Sequence, residues 1–284
     1  MPELPEVEIT ARRLSAAMDG ATVESALAPG VATLKTFDPP LDALAGASVE
    51  GVRRIGKMLA VDFDAERPLT LLVHLMSAGR LQLFDKRASL KDRASRILVR
   101  LGGDRELRLR EFGTKQSAWA RLLEREAVAQ DEMVATLGPD AWPAPPRDEL
   151  AERIDQPSHL HPLLRRQKTI AGIGRSWVDE ILWEAKLSPF KKGSELRGEE
   201  ITQLHGALQV LGHALEHYEQ VIGDTVPDKL PMPLKVHRRE GEPCPRCGTT
   251  IEAVFYSQHQ TNYCPAEQTG GRVLKDRRLS RLLK

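Results

Sequence analysis

Met1-Pro2-Glu3-Leu4-Pro5-Glu6-Val7-Glu8 opens the chain, and residues 9–20 continue it as one amphipathic segment. Val7, Ala11, Leu14 and Met18 recur at helical spacing and Gly20 closes the run, which predicts a helix from about Pro5 to Met18. The eight residues carry two readings. Proline suits a first helical turn and acids suit the positive end of a helix dipole, so the stretch reads as a helix start. Removal of Met1 would also make the Pro2 nitrogen a free secondary amine. An α-amino group titrates at about 7.7–8.0 and attacks electrophilic carbon to form a cationic imine. Glu3 and Glu6 are close enough in sequence to serve that amine as acid and base.

Outward from this helix the pattern changes to short strand-like runs: 58–63, 69–75, 81–84, 97–101 and 107–110, separated by Gly, Pro or Asp. Repeated short strands at this spacing predict a sandwich or barrel. A proline-rich stretch, Pro139-Asp-Ala-Trp-Pro-Ala-Pro-Pro146, reads as a hinge. Beyond it the period is helical, with Ile201, Leu204, Leu208, Leu211 and Leu215 on one apolar stripe. Upstream of the stripe, Ala171-Gly-Ile-Gly174 is a glycine-rich turn feeding a helix, either an anion-binding helix start or a helix-packing turn.

The composition bounds the class. The chain has 284 residues, 41% hydrophobic and 29% charged, which predicts a globular protein of two domains. No stretch approaches the roughly 20 apolar residues of a membrane helix, and the start lacks a signal-peptide core, so the expected location is cytoplasmic. The net charge is +1, but residues 235–284 hold ten Lys/Arg against five Asp/Glu, leaving −4 for residues 1–234. That asymmetry puts positive charge at one end, where a polyanion could be gripped.

All three cysteines lie in that basic region. Cys244, Cys247, Cys264 and Glu267 have the spacing C-x2-C-x16-C-x2-E. Paired ligands on tight turns are what tetrahedral zinc requires, and a carboxylate can serve as a ligand. Glu267 is therefore one candidate for the fourth position, with His259 and His237 as others. The alternative is a finger without metal, held by packing of Val254, Phe255 and Tyr263.

Four pieces occur in order: Pro2-Glu-Leu-Pro-Glu-Val-Glu8, Arg53-Arg-Ile-Gly-Lys57, Ala171-Gly-Ile-Gly174 and Gly241-Glu-Pro-Cys-Pro-Arg-Cys247. From residue 2 to about 268 the set resembles the formamidopyrimidine-DNA glycosylase / endonuclease VIII family of base-excision repair enzymes. The resemblance implies an α+β multidomain fold: an N-terminal β-sandwich with an N-terminal helix (1–135), a hinge (136–147), a helix-two-turn-helix domain (148–234), a zinc or zincless β-hairpin finger (235–270) and a basic C-terminal helix (271–284). It implies a monomer acting on damaged double-stranded DNA, nucleoid-associated when at work. Chemically, it implies base flipping, attack of Pro2 on C1′, proton handling by Glu3 with support from Glu6, and β,δ-elimination. Lys57 would hold a phosphate. Arg110 would face the orphaned base and Phe112 would wedge into the stack. His74 and Gly174 match positions of the family's DNA-contacting segments.

The sequence also departs from the family pattern. The third wedge residue, a methionine in His-Leu-x-Met, is displaced in His74-Leu-Met-Ser77, so Met76 or Ser77 takes that place. Arg175 stands where the family has asparagine on phosphate, and His259 where it has arginine. Residues 219–236, the family's loop over oxidised guanine, carry three prolines and lack the usual motif. An endonuclease VIII-like preference for oxidised pyrimidines, or a damage-binding paralogue, are the alternatives.

Overall fold

The computed structural model describes residues 2–30, 32–89, 91–112, 116–256 and 259–274. The chain divides into two compact units: 1–136 with 215–231, and 137–214 with 232–284. Among the described residues no helix is long and apolar enough to cross a membrane.

In the first unit, helix α1 (Leu4–Met18) starts one residue before the position expected from its period. It buries Leu4, Val7, Ala11, Leu14 and Met18 along one face, as that period requires. Eight strands come next: β1 (Val23–Leu27), β2 (Ser48–Ile55), β3 (Met58–Asp64), β4 (Leu69–His74), β5 (Gly79–Phe84), β6 (Ser95–Leu101), β7 (Glu106–Glu111) and β8 (Trp119–Glu124). They form two four-stranded sheets in the orders β1-β6-β7-β5 and β2-β3-β4-β8. Leu59, Val61, Phe63, Leu71 and Val73 of one sheet meet Leu81, Ile97, Val99, Leu107 and Leu109 of the other in one core, with Leu14 and Met18 of α1. The result is the expected sandwich with an N-terminal helix. Ser15 Oγ on α1 accepts from Val52 N–H at 3.1 Å, beside a register shift between Val49 and Gly51, and so anchors the helix on β2.

Three strands carried no sequence signal. The β2 bulge interrupts the period-2 alternation that marks a strand. β1 is short, and Trp119-Ala-Arg-Leu-Leu-Glu124 of β8 consists mainly of helix formers that pairing with β4 holds extended. After β8 comes a short helix α2 (Glu132–Ala135), whose N-cap Asp131 accepts from Met133 N–H.

The second unit contains α3 (Arg147–Ile154), α4 (Leu160–Leu164), α5 (Arg175–Glu184), α6 (Gly198–Ala207) and the start of α7 (Val210–Val221). The apolar stripe expected on one helix is therefore split between α6 and α7: Leu204 lies on the first, Leu211 and Leu215 on the second, and Leu208 caps α6. The buried positions keep their period across the break, which is why the stripe reads as continuous. The proline-rich stretch is packed into this unit rather than standing free. Ala141 is fully buried and donates its N–H to the Ala171 carbonyl, whose own N–H goes to the Pro139 carbonyl, and the Trp142 indole fills the space above Gly212. The finger is an antiparallel hairpin of β9 (Glu252–Tyr256) and β10 (His259–Tyr263), followed by α8 (Pro265–Thr269). The basic helix expected at the C-terminus falls mostly on residues outside those described; Gly271–Leu274 are not helical.

Candidate nucleic-acid and catalytic site

Pro2 and Glu3 sit at the N-terminal end of α1, with Glu3 as N-cap. Glu6, one turn on, folds back so that Oε2 accepts the Glu3 N–H at 2.9 Å. Its other oxygen accepts the Tyr218 hydroxyl at 2.7 Å. The side chains of Glu3, Glu6 and Tyr218 are all buried. Burial first, then the neighbouring Glu6 charge, drives the Tyr218 phenol well above its usual range, so it remains a donor. Tyr218 and Glu219 come from the part of α7 that belongs to the first unit. Glu219 pairs with Arg12 and Arg13 of α1 at 3.3 and 2.7 Å, and Arg13 Nε donates to the Gly223 carbonyl. No sequence pattern places Tyr218 beside residues 3 and 6, because 212 positions separate it from Glu6.

Lys57 occupies the two-residue turn between β2 and β3. Arg54, just before it, donates through Nε to Glu8 Oε2 at 2.9 Å and through a terminal nitrogen to the Gly56 carbonyl at 3.1 Å. This buried arginine ties the lysine turn to the helix that begins at Glu3. Beside the turn, the His74 ring stacks on Trp119 with centroids 5.5 Å apart, and its Nδ1 accepts Met76 N–H at 3.0 Å. Burial, and secondarily the Lys57 charge, hold the imidazole down at about 4, so it is neutral at physiological pH.

Met76 adopts φ +49°, in the left-handed region that side chains rarely enter. It belongs to a tight turn in which Gly79 N–H reaches the Leu75 carbonyl at 2.8 Å. A Cβ at Gly79 would meet that carbonyl oxygen at 2.4 Å, so the turn requires glycine. The early methionine thus lies within the turn, half-buried, and Ser77 at its tip is exposed.

The β5–β7 register sets Arg80 opposite Arg110 and Gly79 opposite Glu111, and Phe112 N–H continues to the Ala78 carbonyl. Met76, Arg110 and Phe112 are therefore brought to one end of one sheet. Phe112 is 39% exposed, and the Arg110 guanidinium lies 4.6 Å from its ring and 5.4 Å from that of Phe84. Asp228 stands 3.7 Å from Arg110. The segment bearing it is fixed on β5: Arg80 Nε donates to the Asp228 carbonyl at 2.6 Å, and Gln82 to the Val226 carbonyl at 3.1 Å. Buried Glu111 accepts Ser117 and Ala118 N–H at 2.6 and 2.9 Å.

In the second unit, Gly174 caps α5 and Arg175 is its first residue, exposed. The turn before it needs Gly172 at φ +96°. Gln167 clamps this turn, accepting from Gly172 N–H at 3.0 Å and donating to the Ile173 carbonyl at 2.9 Å. Farther along α5, Glu180 accepts the N–H groups of Lys235, Val236 and His237 at 2.8–2.9 Å. Asp179 accepts His237 Nδ1 at 2.7 Å and Asn262 N–H at 3.1 Å. Burial raises Glu180 above the usual carboxylate range, against the lowering effect of those three donors. Sequence reasoning missed Gln167, Asp179 and Glu180; the adjacent acids in Trp177-Val-Asp-Glu-Ile-Leu-Trp183 were the available signal.

In the finger, the sulfurs of Cys244, Cys247 and Cys264 lie within 4.8 Å of one another. Gly248 N–H closes the first turn onto the Cys244 carbonyl at 2.8 Å. Two side-chain expectations need correction. The Glu267 carboxylate does not join the sulfurs but pairs with Arg246 at 3.3 Å and Lys186 at 3.6 Å, because two cations lie on its side of α8. Phe255 is 55% exposed, and the finger core is made of Val236, Cys244, Ile251, Cys264 and Trp183 of α5. His237 is committed to Asp179. His259 opens β10 opposite Tyr256, and its side chain lies outside the described atoms.

Comparison with known proteins gives a concordant result over almost the whole chain. Residues 1–114 match the formamidopyrimidine-DNA glycosylase N-terminal domain, 137–225 the formamidopyrimidine-DNA glycosylase H2TH domain, and 241–266 a zinc finger found in FPG and IleRS. The formamidopyrimidine-DNA glycosylase of Herpetosiphon aurantiacus is 32% identical over 286 residues, covering 94% of this chain and all of that protein. Wild-type Lactococcus lactis Fpg, solved with N7-benzyl-Fapy-dG DNA, is 26% identical with a TM-score of 0.84, covering 94% of this chain and 100% of that one. The same protein with abasic-site DNA gives 25% identity and a TM-score of 0.83, covering 94% and 99%.

Proposed function

The chain belongs to the formamidopyrimidine-DNA glycosylase family, and from that premise we propose that it excises oxidised bases of the formamidopyrimidine/8-oxoguanine class and then cleaves the abasic strand. The observation that carries this reading is the buried Glu3–Glu6–Tyr218 chain at the root of Pro2. Once Met1 is removed, the Pro2 amine attacks C1′ of the damaged nucleotide. The C1′–N bond breaks and the base leaves with its electron pair, protonated as it goes. Ring opening, with Glu3 delivering a proton at the sugar oxygen, gives the cationic imine. Successive proton losses then expel the 3′ and 5′ phosphates by β,δ-elimination, and water releases the sugar fragment from proline.

Glu6 carries no step of its own in this scheme. Held by Tyr218 and by the Glu3 N–H, it fixes the helix start and keeps a negative charge near the cation that forms. Lys57 is assigned to a lesion phosphate, with Arg54 orienting its turn, and neutral His74 shapes the adjoining loop. Arg110, Phe112 and Met76 are assigned to the gap left by a flipped nucleotide. Gly174 and Arg175 present a helix start and a cation to the DNA backbone. His259 would add a contact from the finger in place of the arginine. The protein is taken to act as a monomer, on nucleoid DNA in the cytoplasm.

For the finger, the donor set is of the right chemistry for zinc: three convergent thiols, two of them buried. Bound zinc would supply a structural cross-link between the turn at Cys244–Cys247 and the start of α8.

The test is borohydride trapping on duplexes carrying an abasic site, 8-oxoguanine, formamidopyrimidine or oxidised thymine. A reduced covalent adduct with the purine lesions, absent in Pro2→Gly, is the expected result. Adducts with oxidised thymine in preference to the purine lesions would replace this substrate class with the pyrimidine one. A second reading, strand cleavage at abasic sites with little base excision, draws on the anchoring of residues 226–228 to β5; it predicts an adduct with the abasic site alone.

A further inference from the structure

A closed structural zinc site takes four protein atoms, and the described residues of this finger assemble three. Among the described residues, no histidine, aspartate or glutamate joins the cluster of Cys244, Cys247 and Cys264. The position that the repeated x2 spacing assigns to a fourth ligand is Glu267, and its side chain is engaged elsewhere. Arg246, which lies between the first two cysteines, approaches Glu267 Oε2 at 3.3 Å, and Lys186 approaches the same atom at 3.6 Å.

Arg246 is itself fixed. Its guanidinium stacks 3.8 Å from the centroid of Trp183 and donates to the Trp183 carbonyl at 2.7 Å. The Trp183 indole N–H in turn points at Cys244 Sγ, 3.4 Å away. One indole thus supports a thiol on one side and, through arginine, holds the carboxylate on the other. Moving Glu267 onto the metal would take from Lys186 and Arg246 the acid they share, leaving Arg246 the longer approach to Glu184 at 3.8 Å.

Resting on the reading that the finger binds zinc, we propose that Cys244, Cys247 and Cys264 are its complete protein ligand set, and that the fourth coordination position is open to an exchangeable ligand from solution. With zinc bound, that position would take water, and small donors such as imidazole or a low-molecular-weight thiol would replace it, since thiophilic ions favour sulfur and imidazole. Structural zinc sites are closed by four protein ligands, whereas three protein ligands plus water is the arrangement of sites that exchange. The finger combines a structural position in the fold with an exchange-type ligand set.

Cobalt(II) uptake by the full-length, metal-stripped protein under a phosphine reductant tests this, because its visible bands report ligand number and type. One cobalt per chain is expected, with all three cysteines protected from alkylation. Added imidazole should shift the bands saturably. Glu267→Cys should abolish that response and tighten zinc binding by at least ~10-fold, the lower end of what even groups beyond the ligands contribute. Glu267→Gln and His259→Ala should keep the wild-type spectrum. Cobalt bands indifferent to imidazole in the wild type, or altered by either of the last two substitutions, would mean that the protein closes the site and would overturn the proposal. No cobalt uptake, with all three thiols still alkylated, would remove the zinc reading and this inference together. Should Glu267→Cys fail to fold, the imidazole response of the wild type decides alone.

Discussion

Each unit buries a pair of acids on a helix, and the two pairs differ in what donates to them. Asp179 and Glu180 of α5 direct their oxygens to the backbone N–H groups of residues 235–237 and 262 and to His237, with His161 Nε2 of α4 also 3.2 Å from the second Asp179 oxygen. The backbone donors among them are the strap leading into the finger and the second strand of its hairpin, so the acids fix chain. Glu6 of α1 receives a phenol hydroxyl and the N–H of its own helix start. These donors leave the end of α1 at Pro2 organised around charge rather than around distant backbone. The contrast teaches that burial does not assign a role to a carboxylate; its donors do.

The contrast is broken most sharply by isosteric removal of charge. Glu3→Gln is expected to reduce base excision by ~10²–10⁴-fold, the usual reach of a positioned acid or base, while thermal unfolding stays near wild type. Single-turnover excision and a melting curve on the same preparation check it. A large drop in melting temperature with chemistry intact would put Glu3 in the same class as Glu180.

The opposite variant is Glu180→Ala. It strands three N–H groups, each costing about 1–3 kcal/mol when buried without a partner. Loss of several kcal/mol in denaturant unfolding is expected, with the strap at 235–237 becoming fast in hydrogen exchange. The purine-lesion adduct should still form on whatever fraction remains folded. Stability within ~0.5 kcal/mol of wild type, the range of a featureless surface change, would show that the strap does not depend on this acid.

A third measurement separates the units by pH. The folded His74 titrates at about 4, against about 6.5 when unfolded. Between those values the unfolded chain binds the extra proton, so stability is full above about 6.5 and falls as pH drops toward 4. At about 1.4 kcal/mol per pH unit, the difference amounts to ~3 kcal/mol. In His74→Phe, which keeps a ring on Trp119, that part of the pH slope should vanish. An unchanged slope would assign the acid sensitivity to other groups.

These residues also show where the sequence was legible. The α1 period, five of the eight sandwich strands and the three clustered cysteines are local patterns, and each lies close to where its spacing placed it. β8 was silent because its helix formers are overruled by pairing with β4. The single stripe from 201 to 215 hid a helix break because burial continues across it. Glu267 matched the ligand spacing, but spacing carries no information about Lys186, 81 positions upstream in sequence and within 3.6 Å in space. Gln167 and the Asp179–Glu180 pair look like ordinary polar residues until their backbone donors are known. Function was legible where chemistry is carried by consecutive residues, and illegible where it depends on a partner brought in by the fold.

Tyr218 is such a partner and gives the smallest but most discriminating test. Tyr218→Phe removes one hydroxyl and leaves the packing of the ring. A hydrogen bond to a charged group contributes about 1.5–3 kcal/mol, so a loss of roughly 10–150-fold is the ceiling if the bond acts wholly in the transition state. If Glu6 orients the helix start at Pro2, the loss should appear in the rate of imine formation with a preformed abasic site, where base departure plays no part. Duplex affinity should be unchanged. If Glu6 is instead a structural acid of the Glu180 kind, the same variant should lower the melting temperature and leave the trapping rate per folded molecule at its wild-type value. The two outcomes differ in which observable moves, and they decide whether the contrast between the acid pairs is one of function or only of fold.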